Sequence, residues 1–160
     1  MFIPAIGVYD VVLTVHILAV VLAFGVTFAY PLLDAYARRQ HPGDLAVLHG
    51  FQVVLSRRLI SPAMIVVLLA GLYLALDGWS LNDPWIGLTL VILFVLFGLA
   101  GGVLTPTEQR CAQLAERDRS AGGAPSAEYE AQARKLRIMR VVWYLLVIVA
   151  IFLMTAKPGA

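Results

Sequence analysis

Four apolar stretches dominate the pattern along the chain: Val11 to Leu33, Leu59 to Leu76, Trp85 to Leu104 and Val141 to Ala156. Each approaches the roughly 20 apolar residues a helix needs to cross a hydrocarbon core about 30 Å thick. The last is short and is extended back to about residue 139, so the predicted spans are 11–33, 59–76, 85–104 and 139–156. Between them lie polar segments with helix signals of their own. "HPGDLAVLHGFQVVLSRR" offers Asp44 as an N-cap, followed by Leu45, Leu48, Val53 and Val54 at helical spacing, so the second helix starts well before its apolar run. Pro62 predicts a kink in it. In "TPTEQRCAQLAERDR", Thr105, Pro106 and Glu108 read as N-cap, N1 and N3 of a capping box opening a new helix. "SAGGAPS" breaks that helix, and another begins at Ser126 with Glu128 and Glu130 in its first turn and Glu130 spaced four residues from Arg134. The pattern predicts an all-α, integral membrane four-helix bundle, one domain over residues 1–160, with a helical hairpin between helices 3 and 4.

Composition agrees: 61% of the 160 residues are hydrophobic and 14% charged, against about a quarter charged in a soluble domain. The opening "MFIPAIGVYD" has no Lys or Arg, unlike the basic start of a signal peptide, so the first span is expected to stay in the mature chain. Charge then gives an orientation. Of the twelve Lys and Arg residues, Arg38, Arg39, Arg57 and Arg58 flank the first connection, and seven from Arg110 to Arg140 lie in or beside the third. "DGWSLNDP" has two aspartates and no base. The positive-inside rule therefore predicts both termini outside and the hairpin in the cytoplasm of a multi-pass membrane protein. Tyr9, Tyr73, Trp79 and Trp85 fall near the outer boundary. Arg140 is expected to reach back to the head groups, and Cys111 to be a reduced spectator thiol.

Little chemistry remains inside the spans. His16 sits among aliphatic residues in "TVHILAVVLAFGVTFAY", roughly 8 Å below the outer end of the first span. A polar group in a bilayer is a functional candidate by default. An imidazole there can hydrogen-bond a neighbouring helix, ligate a haem iron or other metal, or carry a proton. His41 and His49 lie at the opposite end, so Met154, at comparable depth, is the candidate second ligand, with two His16 rings across a homodimer as another arrangement. Thr89 is a candidate hydrogen-bond partner. Arg57 and Arg58 either snorkel to the head groups or meet an anionic group such as a porphyrin propionate, and Asp34 is a candidate partner for one of them. Gly98 and Gly102, Ala19 and Ala23, and Gly25 and Ala29 provide small-residue spacings for close helix approach, within the bundle or in a homodimer. No hydrolytic triad, phosphate loop, zinc cluster or nucleotide fingerprint is present. The lipid bilayer is the expected partner, a homodimer or a protein docked on the basic hairpin is left open, and no nucleic acid is expected.

"HILAVVLAFGVTFAYPLL" resembles the first helix of bacterial HemJ-type protoporphyrinogen oxidases and CopD-type membrane proteins, and "RRLISPAMIVVLLAGLYLAL" is similar to the HemJ-type second helix. The four-helix pattern, with "GWSLNDPWIG", resembles more closely the bacterial integral-membrane proteins grouped as a predicted family of unknown function. The HemJ likeness implies haem b associated with His16, basic residues Arg57 or Arg58 before the second helix, and an oxidoreductase activity. It also implies a further histidine near the inner end of the first helix, where this chain has Asp34 and Tyr36 instead.

Overall fold

The computed structural model describes residues 6–79, 83–122 and 124–159. Parts of the expected "DGWSLNDP" and "SAGGAPS" connections lie outside them. Four helices account for the chain: α1 (Val8–Gln40), α2 (Pro42–Gly78), α3 (Pro84–Ser120) and α4 (Ala127–Ala156), each long and apolar enough to cross a membrane. At 1.5 Å per residue, the 33 to 37 residues of the first three helices span about 50 Å or more, so each overshoots a 30 Å hydrocarbon core.

The helices run up and down, each packed on its neighbours in sequence, with α1 closing against α4 through Phe24 on Trp143 and Phe28 stacked on Tyr144. The core holds Ala19, Ala23, Met64, Val67, Leu96, Leu136 and Val147. The outer surface is equally apolar: Leu32, Leu69, Phe94 and Phe152 are more than 60% exposed, as suits helices that cross a membrane. Three threonine hydroxyls along the spans are satisfied within their own helices. Thr14 donates to the Asp10 carbonyl, Thr89 to that of Trp85 and Thr155 to that of Ile151.

Three prolines shape the helices. Pro31, Pro62 and Pro106 each follow a five-residue irregular stretch: a 3₁₀ segment at Gly25–Ala29 and π segments at Ser56–Ile60 and Ala100–Leu104. A proline lacks the N–H that would bond four residues back, and its ring crowds that carbonyl, so the preceding turn tightens or widens. The Thr27 carbonyl, four residues before Pro31, is met by Tyr144 Oη of α4 at 2.7 Å, while the Ser56 carbonyl accepts the Ser61 N–H across its π turn and Ser61 Oγ at 2.8 Å. The helix α4, with no proline, is regular throughout its 30 residues.

This corrects one expectation. Thr105 does not cap a new helix: α3 passes through it in helical geometry, with its N–H donating to the Ala100 carbonyl across the π turn. Pro62 stands just after the π turn of α2, at the irregularity expected of it. Asp44 does stand at the start of a regular stretch, but its side chain makes no cap bond. Ser126 caps α4 as expected, its Oγ accepting from the Tyr129 N–H at 3.3 Å.

Candidate functional site

The bundle has two polar centres, one at each end. His16 of α1 is 8% exposed and crosses to α2, where its Nδ1 lies 3.1 Å from the Val67 carbonyl oxygen. A carbonyl only accepts, so Nδ1 carries the hydrogen and Nε2 keeps its lone pair. The ring passes over Gly71, one turn beyond Val67. A Cβ on Gly71 would stand 3.0 Å from His16 Cε1, so the glycine is what lets the imidazole reach that carbonyl. Gly71→Val is expected to displace the ring and cost about 1–3 kcal/mol by overpacking, read as a lower unfolding midpoint in detergent. Gly71→Ala should cost less.

Around His16 lies a cavity of about 400 Å³ lined from all four helices, including Thr89, Trp85 and Met154, with Trp79 and Lys157. Trp85 is 8% exposed and its Nε1–H has no hydrogen-bond partner. Lys157 follows α4 in left-handed backbone geometry (φ 45°), with its N–H on the Leu153 carbonyl and its ammonium 4.0 Å from the Trp79 ring centre. A non-glycine residue held there is uncommon. The cavity thus holds the lone pair of His16 Nε2 and the Lys157 cation among otherwise largely apolar walls.

The opposite, basic end is built around Arg140 of α4, 4% exposed. Its Nη1 bonds Asp34 Oδ2 of α1, and its Nη2 donates to Gln52 Oε1 of α2 at 2.8 Å and Glu108 Oε1 of α3 at 3.0 Å. One guanidinium therefore ties all four helices. Gln52 passes its Nε2 hydrogen to Asp34 Oδ1 at 2.9 Å, and Ser56 Oγ donates to Glu108 Oε2 at 3.2 Å. Because Gln52 Oε1 is an acceptor, His49 Nδ1, 3.1 Å away, is the protonated nitrogen, and Tyr129 Oη donates to His49 Nε2 at 2.9 Å. Arg38 completes the group, bonded to Glu130 at 2.7 Å and to Tyr129 Oη at 3.4 Å. Tyr129→Phe would leave His49 Nε2 buried without a donor, an expected loss of about 1–3 kcal/mol in a denaturation midpoint.

A family model for predicted integral membrane proteins, DUF2269, matches residues 10–158. The chain belongs to that family. No curated protein and no solved structure matches it. The match runs through both polar centres of this DUF2269 protein and all four of its candidate spans.

Of the residues singled out from sequence, the fold brings His16, Met154 and Thr89 to one cavity. Thr89 is committed to its own helix, and the partner of His16 is the Val67 carbonyl. Arg57 and Arg58 do not line that cavity. They are exposed on the π turn of α2 and make no ion pair among the described residues. The cation near His16 is Lys157. Asp34 pairs with Arg140 rather than with Arg57 or Arg58, because its buried face meets α4, and Arg140 is buried rather than reaching for head groups. Glu130 bonds Arg38, across helices, in place of the expected contact with Arg134. Cys111 is fully buried in the core. Gly98 and Gly102 meet nothing within 4 Å and are exposed, as are Gly25 and Ala29, whereas Ala19 and Ala23 are buried in the core with other small residues such as Ala63 and Ala150. Sequence reasoning missed the whole Gln52, Glu108 and Tyr129 group. Its signal was polar residues spaced into stretches that read as solvated.

Proposed function

We propose that this protein is a membrane redox protein that holds haem b, or a similar metal macrocycle, in the cavity beside His16. The observation that carries the reading is the His16 bond to the Val67 carbonyl: it fixes the tautomer and ring orientation and leaves Nε2 as a lone pair, the arrangement metal-ligating imidazoles use. The residues present fit the group. The volume of about 400 Å³ lies within the roughly 300–1,000 Å³ of ligand pockets, with apolar walls and few polar groups. Met154 lines the same cavity and would be a second ligand to the metal. The Lys157 ammonium, which lines the same cavity, suits a carboxylate such as a propionate. Among the described residues no cluster of three or more His, Cys, Asp or Glu side chains could hold a bare ion, whereas a metal macrocycle would bring most of the metal's ligands with it.

When bound, haem would supply one-electron chemistry. This chain's part is to ligate through His16, to orient that ring through Val67 and Gly71, and to exclude water with the apolar cavity walls. We place the basic end in the cytoplasm and the His16 cavity toward the outer face of a bacterial inner membrane, on the positive-inside rule. A scaffold shared with HemJ-type and CopD-type proteins fits the same placement. Docking of a partner on the basic hairpin has less support, since Arg110 and Arg117 pair with Glu128, and Arg119 with Glu116. Haem extraction from detergent-purified protein made in haem-replete cells tests the reading. Haem in stoichiometric amount supports it, and a preparation that carries none and takes up none on titration refutes it.

A further inference from the structure

We propose that the groove between α1 and α4 at the basic end binds the phosphate of an anionic phospholipid, seated between Arg39 and Arg137. A second cavity, of about 360 Å³, opens there, lined by Pro31, Asp34 and Ala35 with Arg38 and Arg39 on one side, and by Arg137, Arg140, Val141 and Tyr144 on the other. Four arginines face one carboxylate, and that carboxylate, Asp34, is already taken by Arg140 and Gln52. Arg38 is engaged by Glu130. Arg39 and Arg137 make no ion pair among the described residues and are exposed, one on each helix. Beneath them Arg140, 4% exposed, keeps its Nε–H without a partner. The groove therefore presents uncommitted positive charge from two helices, Arg39 on one and Arg137 on the other, which is chemistry for a phosphate oxyanion.

The walls decide which phosphate. Pro31, Ala35, Val141 and the Tyr144 ring form an apolar lower half, and Leu32 and Val141 are open to the lipid side. Counting back roughly 20 residues from the end of α4 at Ala156 puts Arg137 at the hydrocarbon boundary. An amphiphile with its phosphate at the arginines and its acyl chains along Val141 matches both halves, whereas free phosphate uses only the upper one. Basic pockets between membrane helices at this depth are suited to anionic head groups.

Native mass spectrometry of the full chain in detergent, with phosphatidylglycerol, phosphatidylcholine or inorganic phosphate added, tests this. Phosphatidylglycerol should be retained in preference to phosphatidylcholine and should survive added inorganic phosphate. At about 1 kcal/mol per arginine, its retention should weaken roughly fivefold in Arg39→Gln or Arg137→Gln and roughly twenty-five-fold in the double variant. Both side chains are exposed, so the variants should melt with the wild type. Equal retention of the two lipids, or retention unchanged in the double variant, would overturn the proposal. Displacement of the lipid by inorganic phosphate would do so too, by making this a free-phosphate site.

Discussion

Arg140→Met is expected to destabilise the protein by roughly 3–5 kcal/mol, because it leaves two carboxylates, Asp34 and Glu108, buried without their cation. Arg140→Lys should recover little. An ammonium is a point charge and cannot reproduce a planar fork that reaches Asp34 through one nitrogen and both Gln52 and Glu108 through the other. Removing the charges together is a different matter. A variant carrying Asp34→Asn, Glu108→Gln and Arg140→Met should regain most of the loss, since no uncompensated charge then remains. Unfolding midpoints in one detergent, compared across the three variants, check both the size and the order of the effects.

His16→Ala should show the opposite pattern. One interhelical hydrogen bond in a membrane protein is worth on the order of 1 kcal/mol, so the variant should fold nearly as well as the wild type. Its cofactor binding should be lost altogether, because the chain has no second imidazole at this end: His49 is held in the Gln52 and Tyr129 group at the other. Haem content per folded chain, measured beside the unfolding midpoint, separates the two consequences. The Arg140 variants that still fold should keep their haem. One end of the bundle then serves stability and the other serves binding.

The four membrane crossings were legible in the sequence because lipid demands an apolar run. The helices themselves were longer than those runs. Residues 34–40 of α1 are helical yet too polar for a hydropathy pattern to claim them, whereas the early start of α2 was legible from Asp44 and the helical spacing of Leu45, Leu48, Val53 and Val54. Which face turns inward was not legible, because these spans are apolar all round and give no stripe to read. The small-residue pairs illustrate this, with Ala19 and Ala23 buried while the similarly spaced Gly98 and Gly102 are exposed.

The same blindness explains the polar residues. Asp34 looked ready to pair with the arginines that open the second span, but its partner Arg140 lies 106 residues away on a face that only the packed bundle defines. His16 stood out because an imidazole inside an apolar run is rare. Its supports, the Val67 carbonyl and the bare turn at Gly71, are a backbone atom and a missing side chain, and neither leaves a mark in sequence.

The most direct test of the central claim is the visible absorption spectrum of the detergent-purified protein, oxidised and then dithionite-reduced, beside His16→Ala. The account predicts a Soret band that shifts on reduction in the wild type and is absent from the folded variant. A wild-type spectrum without that band after haem has been supplied, or a band that persists unchanged in His16→Ala, would contradict it.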